Sequence, residues 1–74
     1  MNTETVKIST ELIQLDQLLK WIGLAETGGQ ARFLIDDGKV QVNGEVVRER
    51  RKKIVPGDQV MIGKQIYVVQ RETE

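Results

Sequence analysis

Asn43-Gly44, set between the valine-bearing segments Lys39-Val40-Gln41-Val42 and Glu45-Val46-Val47, restricts this chain more than any other pair of residues. A two-residue hairpin loop of type I′ needs positive φ at both central positions, and Asn followed by Gly tolerates that best. Strand alternation then puts Val40 opposite Val47 and Val42 opposite Glu45 on one side of the ribbon, with Gln41 and Val46 on the other. If the second strand ran on regularly, Arg51 and Lys53 would share the buried side with Val47. Unpaired cations are not buried in that way. The strand is therefore expected to end, bulge or bend near Arg48, leaving residues 48–53 as an exposed charged connection.

Helical periodicity precedes the hairpin. Leu15, Leu18, Leu19 and Ile22 recur at i, i+3, i+4 and i+7, one apolar stripe. Gly23 suits the left-handed residue that closes such a helix, and Leu24 is expected to fold back onto it. Thr27 and Gln30 have the spacing of a capping box, so a second helix starts there. Ala31, Leu34 and Ile35 form its buried stripe, Phe33 lies to one side, and Gly38 ends it. Further upstream, Thr5-Val6-Lys7-Ile8 alternates like a strand. Ser9-Thr10 either turns that strand back into Glu11-Leu12-Ile13 or caps a helix starting there, and the sequence leaves both open.

After the basic run, Ile54 and Val55 are expected to return to the core and Pro56-Gly57 to turn. Val60-Met61-Ile62 then pairs with Ile66-Tyr67-Val68-Val69 across Gly63-Lys64, and residues 70–74 form a polar tail. No repeat or linker interrupts the 74 residues, so residues 1–74 are expected to be one domain. A chain of this size buries only roughly 60% of the surface its unfolded form exposes, which implies modest stability.

The residue inventory excludes several chemistries. Neither His nor Cys is present, so zinc sites and the usual nucleophile–base pairs cannot be assembled. Asp36 and Asp37 are adjacent on a helix, about 100° apart around its axis, and do not converge on a substrate. No enzyme activity, cofactor, metal or small-molecule substrate is expected. No apolar run approaches the ~20 residues of a membrane span, and residues 1–10 lack the pattern of an export signal. A cytoplasmic, membrane-free monomer is expected.

Charge is balanced in total, with 11 basic and 11 acidic residues, but not in distribution. Arg48, Arg50, Arg51, Lys52 and Lys53 surround the lone carboxylate of Glu49. Like charges held together on a folded loop repel, and a polyanion relieves that cost while releasing condensed counterions. A second candidate is the Thr27-Gly28-Gly29 helix entrance, where free N–H groups and the dipole favour an anion. Arg32, one turn on, either reinforces that entrance or pairs with Asp36. Asn43-Gly44 reads as turn chemistry alone. Trp21 and Tyr67 read as packing residues, although either can stack on a base. By charge alone, a polyanion contact competes evenly with a solvated loop that merely keeps a neutral domain soluble. Among binding roles, an RNA contact competes with a protein adaptor whose basic loop meets an acidic partner.

The order of these elements resembles a known family. Leu15-Asp16, Ala31-Arg32, Gly38, Val40, Val42-Asn43-Gly44 and Gly57-Asp58 match, in order and spacing, the S-four RNA-binding domain named after a protein of the small ribosomal subunit. The core motif covers residues 15–60. The resemblance implies an α+β fold, the alpha-L motif, with two short helices on a small twisted antiparallel sheet. It further implies a stand-alone, single-domain bacterial protein. Such a protein binds structured RNA, ribosomal or transfer, and acts on the ribosome in its assembly or quality control. The family usually carries Arg before the Leu-Asp pair and Ser-Arg at the second helix entrance; Gln14 and Thr27-Gly28 stand there instead. With Arg32 and Lys39 retained at matching positions, contact is expected to shift toward residues 48–53. The full candidate set is Thr27, Gly28, Gly29, Arg32, Lys39, Arg48, Arg50, Arg51, Lys52 and Lys53.

Overall fold

A computed structural model describes residues 2–72. The elements in chain order are strands β1 (Asn2–Ile8) and β2 (Ile13–Gln14), helices α1 (Leu15–Trp21) and α2 (Gly28–Asp36), and strands β3 (Val40–Val42), β4 (Glu45–Val46), β5 (Lys53–Ile54), β6 (Gln59–Ile62) and β7 (Gln65–Arg71). Five strands form one sheet in the order β1-β7-β6-β3-β4, and β2 pairs with β5 apart from it. The α+β architecture with two short helices is as expected.

Both expected hairpins form. Asn43 and Gly44 have φ of 52° and 88°, and Gln41 lies opposite Val46 and Val42 opposite Glu45. Across Gly63-Lys64, Val60 pairs with Tyr67 and Met61 with Ile66. Only Gly63 of that loop has positive φ, the requirement of a II′ turn. Each helix ends in a Schellman motif. In α1, Gly23 N–H donates to Lys20 O and Leu24 N–H to Leu19 O; in α2, Gly38 N–H donates to Ile35 O and Lys39 N–H to Leu34 O.

One sheet face carries Val6, Val40, Val42, Val60, Tyr67 and Val69, all buried. Leu15, Leu18, Leu19, Ala31, Ile35 and Ile54 join them in one cluster and are fully buried. No polar or charged side chain is buried among the described residues. Apolar burial, at roughly 25 cal/mol per Å², is therefore the main favourable term.

Three features differ from the sequence-based expectation, and one choice that the sequence left open, at Ser9-Thr10, is settled. The sheet is mixed, because β1 runs parallel to β7 with Val6 beside Val69 and Ile8 beside Arg71. Residues 70 and 71 consequently belong to β7, and only 73 and 74 of the expected tail lie outside the described residues. Ser9-Thr10 does not cap a helix; the chain turns and pairs Ile13 with Ile54. Leu24 and Val55 stay exposed, and Ala25 fills the core in place of Leu24. Proximity to core residues in sequence does not place a side chain inward when the turn rotates it away.

Trp21 has a role that periodicity did not reveal. Its indole Nε1–H donates to Lys7 O at 3.0 Å, while Ile8 O accepts from Glu72 N–H on the β7 side. Successive residues of a strand turn their carbonyls to opposite sides, so Lys7 O faces the open edge of β1. Trp21 thereby satisfies one edge carbonyl, a protection that unpaired edges need.

Burial, and secondarily the carboxylate of Glu4, raise the pKa of Tyr67 above its ordinary 10.0. A raised folded-state value means that the neutral phenol contributes stability present below pH 10 and lost as pH rises through the folded value. Tyr67 is the single tyrosine, so absorbance near 295 nm follows it alone. Its ionisation is expected to lag a free tyrosine and to lower stability in the same pH window. Titration at the free value with the fold intact contradicts this.

Candidate nucleic-acid interface

Residues 48–53 owe their placement to the start of α1. Gln14, the N-cap of that helix, provides no side-chain cap. The first free N–H groups are satisfied from elsewhere: Leu15 N–H donates to Lys52 O at 2.9 Å and Asp16 N–H to Arg50 O at 3.0 Å. Lys52 N–H closes a turn onto Glu49 O at 3.2 Å, and Lys53 then pairs with Gln14 in the small sheet. The strand beginning at Glu45 thus ends before Arg48, as the burial argument required. The connection is not a loose strap; its backbone is the cap of a core helix.

The side chains of this run divide. Arg48, Arg50 and Arg51 line, with Glu49, an open depression of about 320 Å³. Lys52 and Lys53 line another of about 260 Å³, together with Glu45, Asp58, Val42, Asn43 and Val47. All five cations are exposed. Among the described residues the single approach of a cation to a carboxylate within 4 Å is Lys39 Nζ to Asp37 Oδ2, at 3.6 Å. No carboxylate lies within 4 Å of the arginine or the lysine head groups of this run among the described residues, although Glu49 lines the arginine depression and Glu45 and Asp58 line that of the lysines.

Arg48 also reaches α2. A Cβ placed on Gly38, whose φ is 74°, would lie 2.8 Å from an Arg48 guanidinium nitrogen. The guanidinium thus covers the C-terminal end of α2, where free carbonyls carry partial negative charge. The opposite end of that helix holds the second candidate. Thr27 Oγ1 accepts from Gln30 N–H at 3.1 Å, one half of the expected capping box. The other half is displaced by one residue: Gln30 Oε1 accepts from Glu26 N–H at 2.7 Å. Space above Gly28 is open, and Arg32 is exposed one turn along, unpaired with Asp36 within 4 Å.

The ten candidates therefore lie along α2 rather than in one cluster. Nine helical residues span about 13 Å, with Thr27, Gly28 and Gly29 at one end, Arg32 between, and Lys39 and Arg48 at the other. The remaining cations extend from there over the start of α1.

Asn43 does more than the turn chemistry the sequence assigned to it, and Asp58 is its partner. Asn43 Nδ2 donates to Asp58 Oδ1 at 3.0 Å, and Gln59 N–H donates to Asn43 Oδ1 at 2.9 Å. Asp58 Oδ2 accepts from Val55 N–H at 3.0 Å. Asn43 N–H also donates to Gln59 O at 2.8 Å. This clamp fastens the β3–β4 turn to the Pro56-Gly57 turn and forms one wall of the lysine depression. Both residues were present in the family pattern, but their mutual contact has no local sequence signal.

Two curated relatives align with most of the chain. "Probable ribosome maturation protein RlbA" of Bacillus subtilis (strain 168) is 37% identical over 57 residues, 77% of this chain and 80% of that protein. "Putative RNA-binding protein YbcJ" of Escherichia coli (strain K12) is 41% identical over 58 residues, 77% of this chain and 83% of that protein. The family model described as S4 domain matches residues 6–70. That span includes both helices, the Asn43–Asp58 clamp and the basic turn, and it places this chain in the S4 domain family.

Proposed function

We propose that this chain is a non-catalytic RNA-binding protein that docks on structured RNA, ribosomal or transfer, and serves ribosome assembly or quality control. The observation that carries this reading is the arginine depression, whose backbone caps α1 through the carbonyls of Arg50 and Lys52. Rigid placement matters because ordering a flexible basic loop on binding would consume part of the gain. Membership of the S4 domain family supports the reading, as do the names of relatives that call one a ribosome maturation protein and the other an RNA-binding protein.

Arg48, Arg50 and Arg51 contact phosphates in this reading. Lys52, Lys53, Arg32, Lys39 and the Thr27-Gly28-Gly29 entrance extend the contact along the helices. Proteins recognise paired RNA mostly by backbone shape, because side chains cannot read its deep, narrow major groove. Zero net charge limits indiscriminate attraction to polyanions, while a localised basic surface still steers a docking partner.

Titrating the protein against ribosomal RNA at several salt concentrations tests this directly. Each neutralised phosphate adds roughly −0.7 to −0.9 to the slope of log affinity against log salt, so contact by all seven cations gives a slope of about −5 to −6. A slope near zero, or a cellular partner retained after nuclease treatment and lost on charge reversal, would instead support a protein adaptor.

A further inference from the structure

Of the two aromatic residues weighed from sequence as base-stacking surfaces, Tyr67 is buried. Trp21, expected to pack, is instead 59% exposed, but its indole N–H is fixed to Lys7 O at the edge of β1, away from α2. The third aromatic is free. Phe33 is 64% exposed on α2 and lines an open depression of about 500 Å³ with Leu24, Leu34, Thr27, Gly29 and Gln30. No carboxylate lines it among the described residues. An apolar floor with a Thr and a Gln at its rim suits a flat heteroaromatic group with polar edges.

Helix geometry says what that group is attached to. Residues four apart form neighbouring rows on a helix surface. Gly29 and Phe33 make one row, and Gly28 and Arg32 make the row beside it. Arg32 lies about 100° around the axis from Phe33 and outside the depression. Its long side chain carries, at the flank of the depression, an exposed guanidinium with no carboxylate within 4 Å among the described residues. A greasy protein helix would gain nothing from that cation, whereas a nucleotide presents a π-face and a negative phosphate a few ångströms apart.

We propose that the Phe33 depression takes one unpaired nucleobase of the bound RNA, stacked on the phenyl ring, with the adjoining phosphate at Arg32. The proposal rests on the RNA-binding reading above and deepens it, adding a site for a bulged or looped-out base to a surface that otherwise grips phosphates. Unstacked bases are the parts of RNA that aromatic side chains can reach, and such stacking makes a sequence-tolerant contact.

Three RNA hairpins test it: a fully paired stem, the same stem with one bulged adenosine, and the same stem with an abasic residue at the bulge. Wild-type protein is expected to bind the adenosine bulge about tenfold more tightly than the abasic one, within the range measured for base–aromatic stacking. Phe33→Leu, which keeps an apolar side chain and loses the π-face, is expected to bind all three alike while retaining its affinity for the stem. Phe33→Trp is expected to restore the preference. Because Phe33 is mostly exposed, circular dichroism of both variants should match wild type. Equal binding of adenosine and abasic bulges by folded wild-type protein overturns the stacking site and leaves the phosphate-binding reading intact. A Phe33-dependent protein partner that survives nuclease, with no bulge preference, likewise overturns it. Failure of wild-type protein to bind any of the three hairpins overturns both.

Discussion

Replacing Arg50, Arg51 and Lys52 together by Glu is expected to lower affinity for structured RNA by at least a hundredfold and to leave the protein folded. Three phosphate contacts are lost, so the salt slope should flatten by about two to three units, and three carboxylates now repel the backbone they replaced. The fold should survive for reasons visible in the hydrogen bonding. Arg50 and Lys52 support α1 through their carbonyl oxygens, which any residue provides. Their side chains are exposed and make no ion pair within 4 Å among the described residues. Exposed substitutions of that kind usually change stability by no more than about 0.5 kcal/mol each. Carboxylates beside the N-terminal turn of a helix are, if anything, favourable to its dipole. RNA titration beside a thermal melt separates the two effects. A folded triple variant with wild-type affinity and slope would move the RNA contact away from this turn.

Asn43→Ala is expected to cost about 3 kcal/mol, from two separable sources. Asn43 holds φ at 52°, and a left-handed conformation costs Ala roughly 1–2 kcal/mol. Its side chain also makes the two hydrogen bonds to Asp58 and Gln59 N–H, each worth about 1 kcal/mol net. Total stability of a chain this size is on the order of 4–11 kcal/mol, so the loss is a large fraction. It should appear as a fall in Tm of about 10–20 °C. Asn43→Gly restores the backbone freedom without the side chain and should recover about half. Asp58→Ala removes the other half of the clamp, and the double variant should lose less than the sum of the singles because the two residues share a bond. Calorimetry showing Asn43→Ala within about 0.5 kcal/mol of wild type would mean that the clamp contributes nothing.

The clamp also bears on function, since Asn43 and Asp58 share a depression with Lys52 and Lys53. Loosening it should alter the wall of the lysine depression, while the backbones of Arg50, Lys52 and Lys53 stay fastened to α1 and β2.

Much of this protein is set by its local sequence. The leucine stripe, the Thr27 cap, the Asn43-Gly44 turn and the ban on burying Arg51 and Lys53 each act over a few residues. Sequence order therefore determined two helices, two hairpins and an exposed basic connection. What it could not supply was pairing between distant segments. Nothing in Asn2–Ile8 states that its partner is Gln65–Arg71, or that the two run parallel. Nothing local to Gln14 states that a helix without a side-chain cap is finished by carbonyls some 35 residues later. The same limit applied to the site. Charge counting located the cations, but which of them stand clear of carboxylates, which one covers the end of α2, and where Phe33 lies relative to Arg32 depend on how helices and sheet pack. Short-range sterics and turn chemistry are written into neighbouring residues. Contacts across the fold follow from a collective minimum in which the whole core is buried at once, and only the assembled tertiary structure expresses it.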